Sequence, residues 1–255
     1  MMNHNVSKEY QTATKLNTRI SIHEKYSINK QSFGDWIMDH YEMKNGFRIL
    51  ELGCGTGDMW KGKLDRLPHD SHMILSDFSL GMLETTKDNL GVYPQLDYQV
   101  VDIQSIPFAD DSFDIVIANM MLYHVPDLHK GLSEARRVLK SGGQFYCATY
   151  GEHGIMQFIN ETLYELGIQG EIGDNFTLQN GAEILRQHFG EVVMDTREDG
   201  LAVTDVHDFV EYVTSLFSLS GISEIDYDCL FDAFQKKVIN GVLYVPKEYG
   251  MFICK

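Results

Sequence analysis

The chain is short of positive charge, of cysteine and of long apolar runs, and each shortage removes a class of protein. Its 21 Lys and Arg residues face 37 Asp and Glu, a formal net charge of −16. A field of that sign repels phosphate backbones. No Lys/Arg-rich run supplies a local exception, so a nucleic-acid partner is disfavoured. Only four cysteines occur in 255 residues: Cys54, Cys147, Cys229 and Cys254. None form a C-x-x-C pair, and they are too few for a disulfide framework. Reduced thiols and a cytoplasmic location are expected. The longest apolar stretch, around 115–125, is interrupted by Asn119 and His124 and is too short to span a bilayer. The first residues, Met-Met-Asn-His-Asn-Val-Ser-Lys-Glu, lack the apolar core of a signal peptide. Internal repeats, low-complexity tracts and Pro/Ser-rich linkers are absent as well. With 44% hydrophobic and 23% charged residues, what is left is an ordinary globular chain, long enough to bury a substantial core.

What the chain does have is a run of alternating glycines. Residues 49–57 read Ile-Leu-Glu-Leu-Gly-Cys-Gly-Thr-Gly. Ile49, Leu50 and Leu52 have the character of a buried strand end. Gly53, Gly55 and Gly57 tolerate positive φ and let a ligand approach the backbone closely. A strand that enters such a loop and then a helix handles nucleotides. The dinucleotide version, G-x-G-x-x-G, needs glycine at position 58, where this chain has Asp58. Glu51 would also sit badly against a pyrophosphate, since like charges close together are costly. These two residues count against a nicotinamide-dependent dehydrogenase. An acid at position 51 suits a cationic ligand, such as the α-ammonium of an amino acid.

Beyond the loop, strand and helix patterns alternate, which favours a parallel, doubly wound sheet. Residues 1–44 read as an N-terminal extension, helical in part. Phe33, Trp36, Ile37, His40 and Tyr41 recur at helical spacing within 32–44, and Asn45-Gly46 ends that helix. Strands are expected at 47–52, 71–76, 97–101, 113–118 and 144–149, helices at 80–90 and 128–139, and a turn at 141–143. The second half predicts a helix at 182–189, a strand within 191–204, a helix at 206–219 and a closing strand or hairpin at 242–254.

In an open parallel sheet, ligands bind beyond the C-terminal ends of the strands, near the topological switch point. Four strand ends carry polar groups that would meet one ligand there: Glu51 with its glycines, Asp77, Asp102 and Asn119. With these in order, residues 45–150 resemble the class I S-adenosylmethionine-dependent methyltransferases, whose first motif reads acid-x-Gly-x-Gly-x-Gly. The resemblance implies an α/β, Rossmann-like doubly wound sheet, mostly parallel with a late antiparallel strand, with helical lid additions at both ends. Residues 45–255 would then be the methyltransferase domain, with 151–190 and 205–240 as additions around the acceptor.

The resemblance also implies site residues. Glu51, Gly53, Cys54, Gly55 and Gly57 belong to the cofactor-binding loop. Asp77 would accept hydrogen bonds from the ribose hydroxyls. Phe78 and Met82 follow in a segment like the family's D-x-S-x-x-M-L, with Leu80 where proline is usual. Asp102 would accept from the adenine amine and Ile103 pack on its ring. Asn119 and Met120 would contact the methionine part. Just beyond lie Tyr123, a candidate acceptor contact, and His124, which titrates near neutrality and suits removal of a proton. His124 precedes Val125-Pro126-Asp127 and serves equally well as a turn residue.

Trp60 reads as packing of the helix after the loop, and Cys54 as a loop residue without a chemical role. Tyr10, His23 and Tyr26 are candidates to close over the site. Phe158, Tyr164, Phe176, Phe209, Tyr212 and Phe217 are candidate acceptor walls, though each is more often ordinary packing. Asn119-Met120-Met121-Leu122 lacks the Asn-Pro-Pro-Tyr pattern of DNA and protein amine methyltransferases. The closest subgroup in appearance is the ubiquinone/menaquinone-type and other small-molecule methyltransferases. The expected activity is therefore metal-independent, in-line methyl transfer to a small-molecule acceptor. A non-catalytic cofactor-binding module and a protein or nucleic-acid methyltransferase stay open as alternatives. The acceptor and the oligomeric state are not legible.

Overall fold

Five segments rich in Ile, Val, Leu and Phe pair side by side as parallel strands in the computed structural model, which describes residues 14–168, 175–220 and 225–255. They are β1 (Arg48–Leu52), β2 (His72–Asp77), β3 (Leu96–Val100), β4 (Phe113–Ile117) and β5 (Leu139–Tyr150). Two long strands, β6 (Val192–Val203) and β7 (Leu243–Cys254), extend the sheet. β7 inserts between β5 and β6 and runs antiparallel to both, giving the order β3-β2-β1-β4-β5-β7-β6. The late antiparallel strand is therefore present as expected. Chain order departs from β1 in both directions, so the switch point lies between β1 and β4. Ile49, Leu50, Leu52, Ile115, Val116 and Ile117 are at most 1% exposed. Burial on both faces is why these strands read as continuous apolar runs instead of alternating.

The helices are α1 (Thr14–Tyr26), α2 (Phe33–Asp39), α3 (Leu80–Leu90), α4 (Leu128–Val138), α5 (Ile155–Glu165), α6 (Leu178–Leu185), α7 (Val206–Ser220) and α8 (Tyr227–Gln235). Ser32, Ser79, Asp127 and Thr177 start four of them by accepting the N–H three residues on. Leu132, Ala135 and Val138 of α4, with Leu178 and Leu185 of α6, cover Leu50, Val116 and Phe145 on one sheet face. Ile37 and Met38 of α2, Trp60, and Leu83 of α3 cover Ile49, Leu75 and Ile115 on the other. A third core joins α1, α5, α7 and α8 to Leu201, Val203, Leu243 and Val245 of the β6–β7 pair. Among the described residues, no helix is long and apolar enough to cross a membrane.

Several expectations need correction. No α-helix follows the glycine loop. Residues 58–63 are turns closed by short bonds, Trp60 N–H to Gly57 O and Lys63 N–H to Trp60 O, followed by a single 3-10 turn, Leu64–Arg66. Gly62, at φ +71°, breaks the right-handed path. α2 ends at Asp39, because His40 and Tyr41 donate back only three residues, to Ile37 O and Met38 O. The expected turn at 141–143 lies inside β5, where Gly142 at φ +77° accompanies a register shift against β4. α6 starts at Leu178 and not at 182, since Thr177 and Asn180 form a capping box. α5 and α8 were not anticipated. Tyr10 and the side chain of Phe217 lie outside the described residues.

Candidate active site

A cavity of about 1610 Å³ opens at the C-terminal ends of β1, β2 and β4 and continues between α1 and the β6–β7 pair. It is lined by Glu51, Gly53, Cys54, Gly55, Asp77, Phe78, Met82, Asp102, Ile103, Asn119, Met120, Tyr123 and His124. The structure thus brings the sequence-derived candidates to one place, with one exception. Gly57 does not face the cavity. It sits at φ +77°, and a Cβ there would lie 2.9 Å from Thr86 Cγ2, so its lack of a side chain serves the packing of loop on α3.

Glu51 is the most informative member. It is a carboxyl 3% exposed within the sheet end. The Trp60 indole N–H donates to it, so Trp60, buried as expected, also orients this acid. Burial, with a smaller push from the Asp77 charge, raises the Glu51 carboxyl to about 7 against the opposing Trp60 hydrogen bond. A buried carboxyl in a cavity wall that ionises near neutrality can receive a cation.

Asp77 ties the loop to the next helix. Its Oδ2 accepts from the Gly55 N–H at 3.0 Å and its Oδ1 from the Ser79 N–H at 2.8 Å. Burial raises its carboxyl, and these amide hydrogen bonds oppose the rise. A further backbone hydrogen bond, from Phe78, acts in the same sense. Asp102 accepts from the Gln104 N–H at 2.8 Å and from the Gln104 side chain, and Ile103 beside it is 5% exposed against Gly131 of α4.

Asn119 carries a scaffolding task that the sequence did not disclose. Its Nδ2 donates to Tyr41 Oη at 2.6 Å and its Oδ1 accepts from the Ala148 N–H at 3.0 Å, spanning β4 to β5. Asn119→Ala leaves the buried Ala148 N–H without an acceptor. It is expected to destabilise the fold by about 1–3 kcal/mol, measured as a lowered urea midpoint. Met120 follows at φ +52°, a left-handed conformation that costs a non-glycine residue roughly 1–2 kcal/mol. Its N–H donates to Ala148 O. Tyr123 and His124 lie on a 3-10 turn, Leu122–His124, with their rings edge-on at 4.5 Å and Tyr123 tilted 5.1 Å from Tyr150. Cys54 is held near Thr86. Burial, then the Glu51 and Asp77 charges, push its thiol well up, so it stays protonated.

The aromatic expectations divide. His23 and Tyr212 line the cavity. Phe158, Phe176 and Phe209 pack into or against the cores, and Tyr164 is 83% exposed, so none of these is a wall. Tyr26 is buried and donates to Asp208. Sequence reasoning missed Arg19, Arg197, Lys247 and Tyr249, which form the far end of the cavity. The only signal for the last three was a period-two spacing within 197–199 and 247–249, which gains meaning once the two strands are paired in register.

Residues 50–147 match the family model described as a methyltransferase domain. A ubiquinone/menaquinone biosynthesis C-methyltransferase UbiE of Haemophilus ducreyi is 29% identical over 232 residues, covering 85% of this chain and 88% of that protein. The UbiE of Stenotrophomonas maltophilia is 37% identical over 114 residues, 44% of this chain and 45% of that one. In structure, a phosphoethanolamine N-methyltransferase of Haemonchus contortus, solved with phosphomonomethylethanolamine and S-adenosylhomocysteine, superposes with a TM-score of 0.62. It is 19% identical, covering 100% of this chain and 60% of that one, and carries the same fold. The matched segment contains the glycine loop and the ends of β1, β2 and β4. Residues 50–147 carry a class I S-adenosylmethionine-dependent methyltransferase domain, and the chain is similar to the UbiE enzymes.

Proposed function

We propose that the chain moves a methyl group from S-adenosylmethionine to a small-molecule acceptor by direct in-line transfer, with the cofactor at the sheet ends and the acceptor toward β6 and β7. The observation that carries this reading is Glu51, a buried, half-ionised carboxyl in the wall of a cavity bordered by two glycines at positive φ. Gly53 and Gly55, both at positive φ, supply the left-handed backbone with which the loop turns along the cavity wall. Glu51 holds the α-ammonium, Asp77 the ribose hydroxyls and Asp102 the adenine amine. Ile103, Phe78 and Met82 supply apolar contact, and Asn119 and Met120 border the methionine part. When bound, the cofactor supplies an already activated methyl carbon whose bonding pair leaves with sulfur.

The chain's own contribution is alignment and exclusion of water, worth roughly 7–11 kcal/mol in well-oriented systems. The acceptor atom brings the lone pair for the new bond. If that atom carries a proton, His124 on the cavity wall is the proposed base. Helices α5 to α8, within 151–190 and 205–240, are the proposed acceptor-site additions. The relatives' names, one a biosynthetic C-methyltransferase and one solved with phosphomonomethylethanolamine, support a small acceptor.

Calorimetric titration with S-adenosylhomocysteine and NADH tests the reading. The adenosyl ligand is expected to bind and NADH to give no heat. Asp77→Ala and Asp102→Ala should each lose about 1.5–3 kcal/mol of that binding. Wild-type affinity in both variants, or binding of NADH instead, overturns the assignments.

A further inference from the structure

We infer that the acceptor carries an anionic group, a carboxylate or a phosphate, and that Arg197 and Lys247 bind it at the β6–β7 end of the cavity. This rests on the reading of the cavity as a chamber for both cofactor and acceptor.

In the antiparallel pair of β6 and β7, Asp199 stands opposite Lys247 and Arg197 opposite Tyr249. Residues two apart on a strand share a face, so all four side chains stand together, with His23 of α1 against Tyr249. The side chains of Arg197, Lys247 and Asp199 are 2%, 1% and 0% exposed. Buried cations are costly unless paired. Asp199 accepts from both. Burial alone would raise its carboxyl, but hydrogen bonds from Lys247, the Asn29 amide and Arg197 outweigh that and hold it well below the ordinary carboxylate range. It is therefore ionised, and one carboxylate faces two cations. Burial pulls the Lys247 ammonium below its ordinary value, against the pull of Asp199. The cluster is short of one negative charge, in a chain whose net charge is −16.

The cluster is also short of hydrogen-bond acceptors. Arg197 gives one terminal nitrogen to Asp199 and the other to Gln31 O, while its buried Nε–H has no partner among the described residues. Lys247 donates to Asp199 and to Ser27 Oγ, which uses two of its three N–H groups. His23 Nε2 lies 3.2 Å from Tyr249 Oη, and its buried Nδ1 has no partner among the described residues. Burial, followed by the positive charge of Lys247, lowers His23 to about 3, so the ring is neutral. Buried donors without acceptors are disfavoured. Arg197, Lys247 and His23 all line the cavity, whereas Asp199 stands behind its wall.

An oxyanion meeting Arg197 and Lys247 supplies the missing charge and an acceptor for the remaining Lys247 N–H. A guanidinium beside a point-charge ammonium is a common way to hold carboxylate or phosphate. Met120 and Tyr123 pack against the same core as Tyr249. An acceptor anchored by its acid therefore extends toward the end of β4, where the methyl is delivered.

The test is calorimetry of the purified chain with S-adenosylhomocysteine, inorganic phosphate, acetate and uncharged acetamide in separate runs. Wild type is compared with Arg197→Gln, Lys247→Gln and Lys247→Arg. Phosphate or acetate is expected to bind wild type and acetamide not. The tighter of the two names the acid class. Both glutamine variants should weaken anion binding at least about tenfold, and Lys247→Arg should retain it. Affinity for S-adenosylhomocysteine should stay unchanged in the Lys247 variants. Nitrogen NMR of the His23 ring should shift on addition of the anion. Binding of S-adenosylhomocysteine without either anion, or glutamine variants that bind anion like wild type, overturns the inference. Loss of S-adenosylhomocysteine binding with anion binding intact instead sinks the cofactor reading and leaves the anion site standing. If a glutamine variant does not fold, the wild-type NMR decides: a His23 ring unmoved by saturating phosphate and acetate overturns the proposal.

Discussion

Glu51→Gln is expected to make the ligand-free protein more stable and the ligand-bound protein harder to form. The Glu51 carboxyl rises from 4.5 to about 7 on folding, chiefly through burial. At about 1.4 kcal/mol per unit, that is about 3 kcal/mol. The folded state holds a proton that the unfolded state has lost between these two values. The contribution of Glu51 to stability is thus fully present below pH 4.5 and is lost as pH rises through about 7. Glutamine has no proton to lose, and its carbonyl still accepts from the Trp60 indole. The variant should match wild type at pH 4 and exceed it by about 3 kcal/mol at pH 8, read as urea midpoints. Binding should move the other way. If Glu51 receives an ammonium, wild-type affinity for S-adenosylhomocysteine falls about tenfold per pH unit below pH 7. The variant should be weaker by about tenfold to a hundredfold above pH 7 and flat with pH. A variant that binds like wild type at pH 8 would remove Glu51 from the site.

The glycines predict a second, graded result. A Cβ on Gly53 would lie 2.9 Å from both Cβ and Cγ of Met121, and one on Gly57 would lie 2.9 Å from Thr86 Cγ2, at φ +71° and +77°. Alanine at either position combines a left-handed backbone, roughly 1–2 kcal/mol, with overpacking of roughly 1–3 kcal/mol. Gly55 sits at φ +59°, but the nearest atom to its Cβ is Leu16 Cδ2 at 3.4 Å, an ordinary contact. Gly55→Ala should therefore cost only the backbone part. Thermal melts should rank Gly53→Ala and Gly57→Ala well below Gly55→Ala, while Gly55→Ala and Gly53→Ala affect ligand binding directly because both residues line the cavity. Equal melting temperatures for all three would contradict the packing argument.

The parallel half of the sheet was legible because its information is local. Strands buried on both faces write themselves as apolar runs, and β1 through β4 fall within a residue or two of expectation at each end. The polar residues at their C-terminal ends then meet by topology alone, which is why Glu51, Asp77, Asp102 and Asn119 were found together. Local patterns failed where a single residue overrode the surrounding propensity. Gly62 turned the segment after the loop into short turns, and the Thr177–Asn180 capping box moved the start of α6. The apolar face of α5, Ile155, Ile159, Thr162 and Leu163, is interrupted by a polar position, so its periodicity is weak.

By itself, the sequence determined the sheet end of the cavity: the strand–glycine loop, its acid, and the carboxylates that close successive strands. Each of these is specified by residues adjacent in the chain. Tertiary structure decided the rest. Whether Gly57 faces a ligand or Thr86, and whether Asn119 is a contact or a brace for Tyr41 and Ala148, depend on packing between distant segments. The buried cluster of His23, Arg197, Asp199, Lys247 and Tyr249 draws on three elements far apart in sequence. It exists only because β7 inserts antiparallel beside β6 in one register, and a shift of one residue would turn those charges to the opposite face.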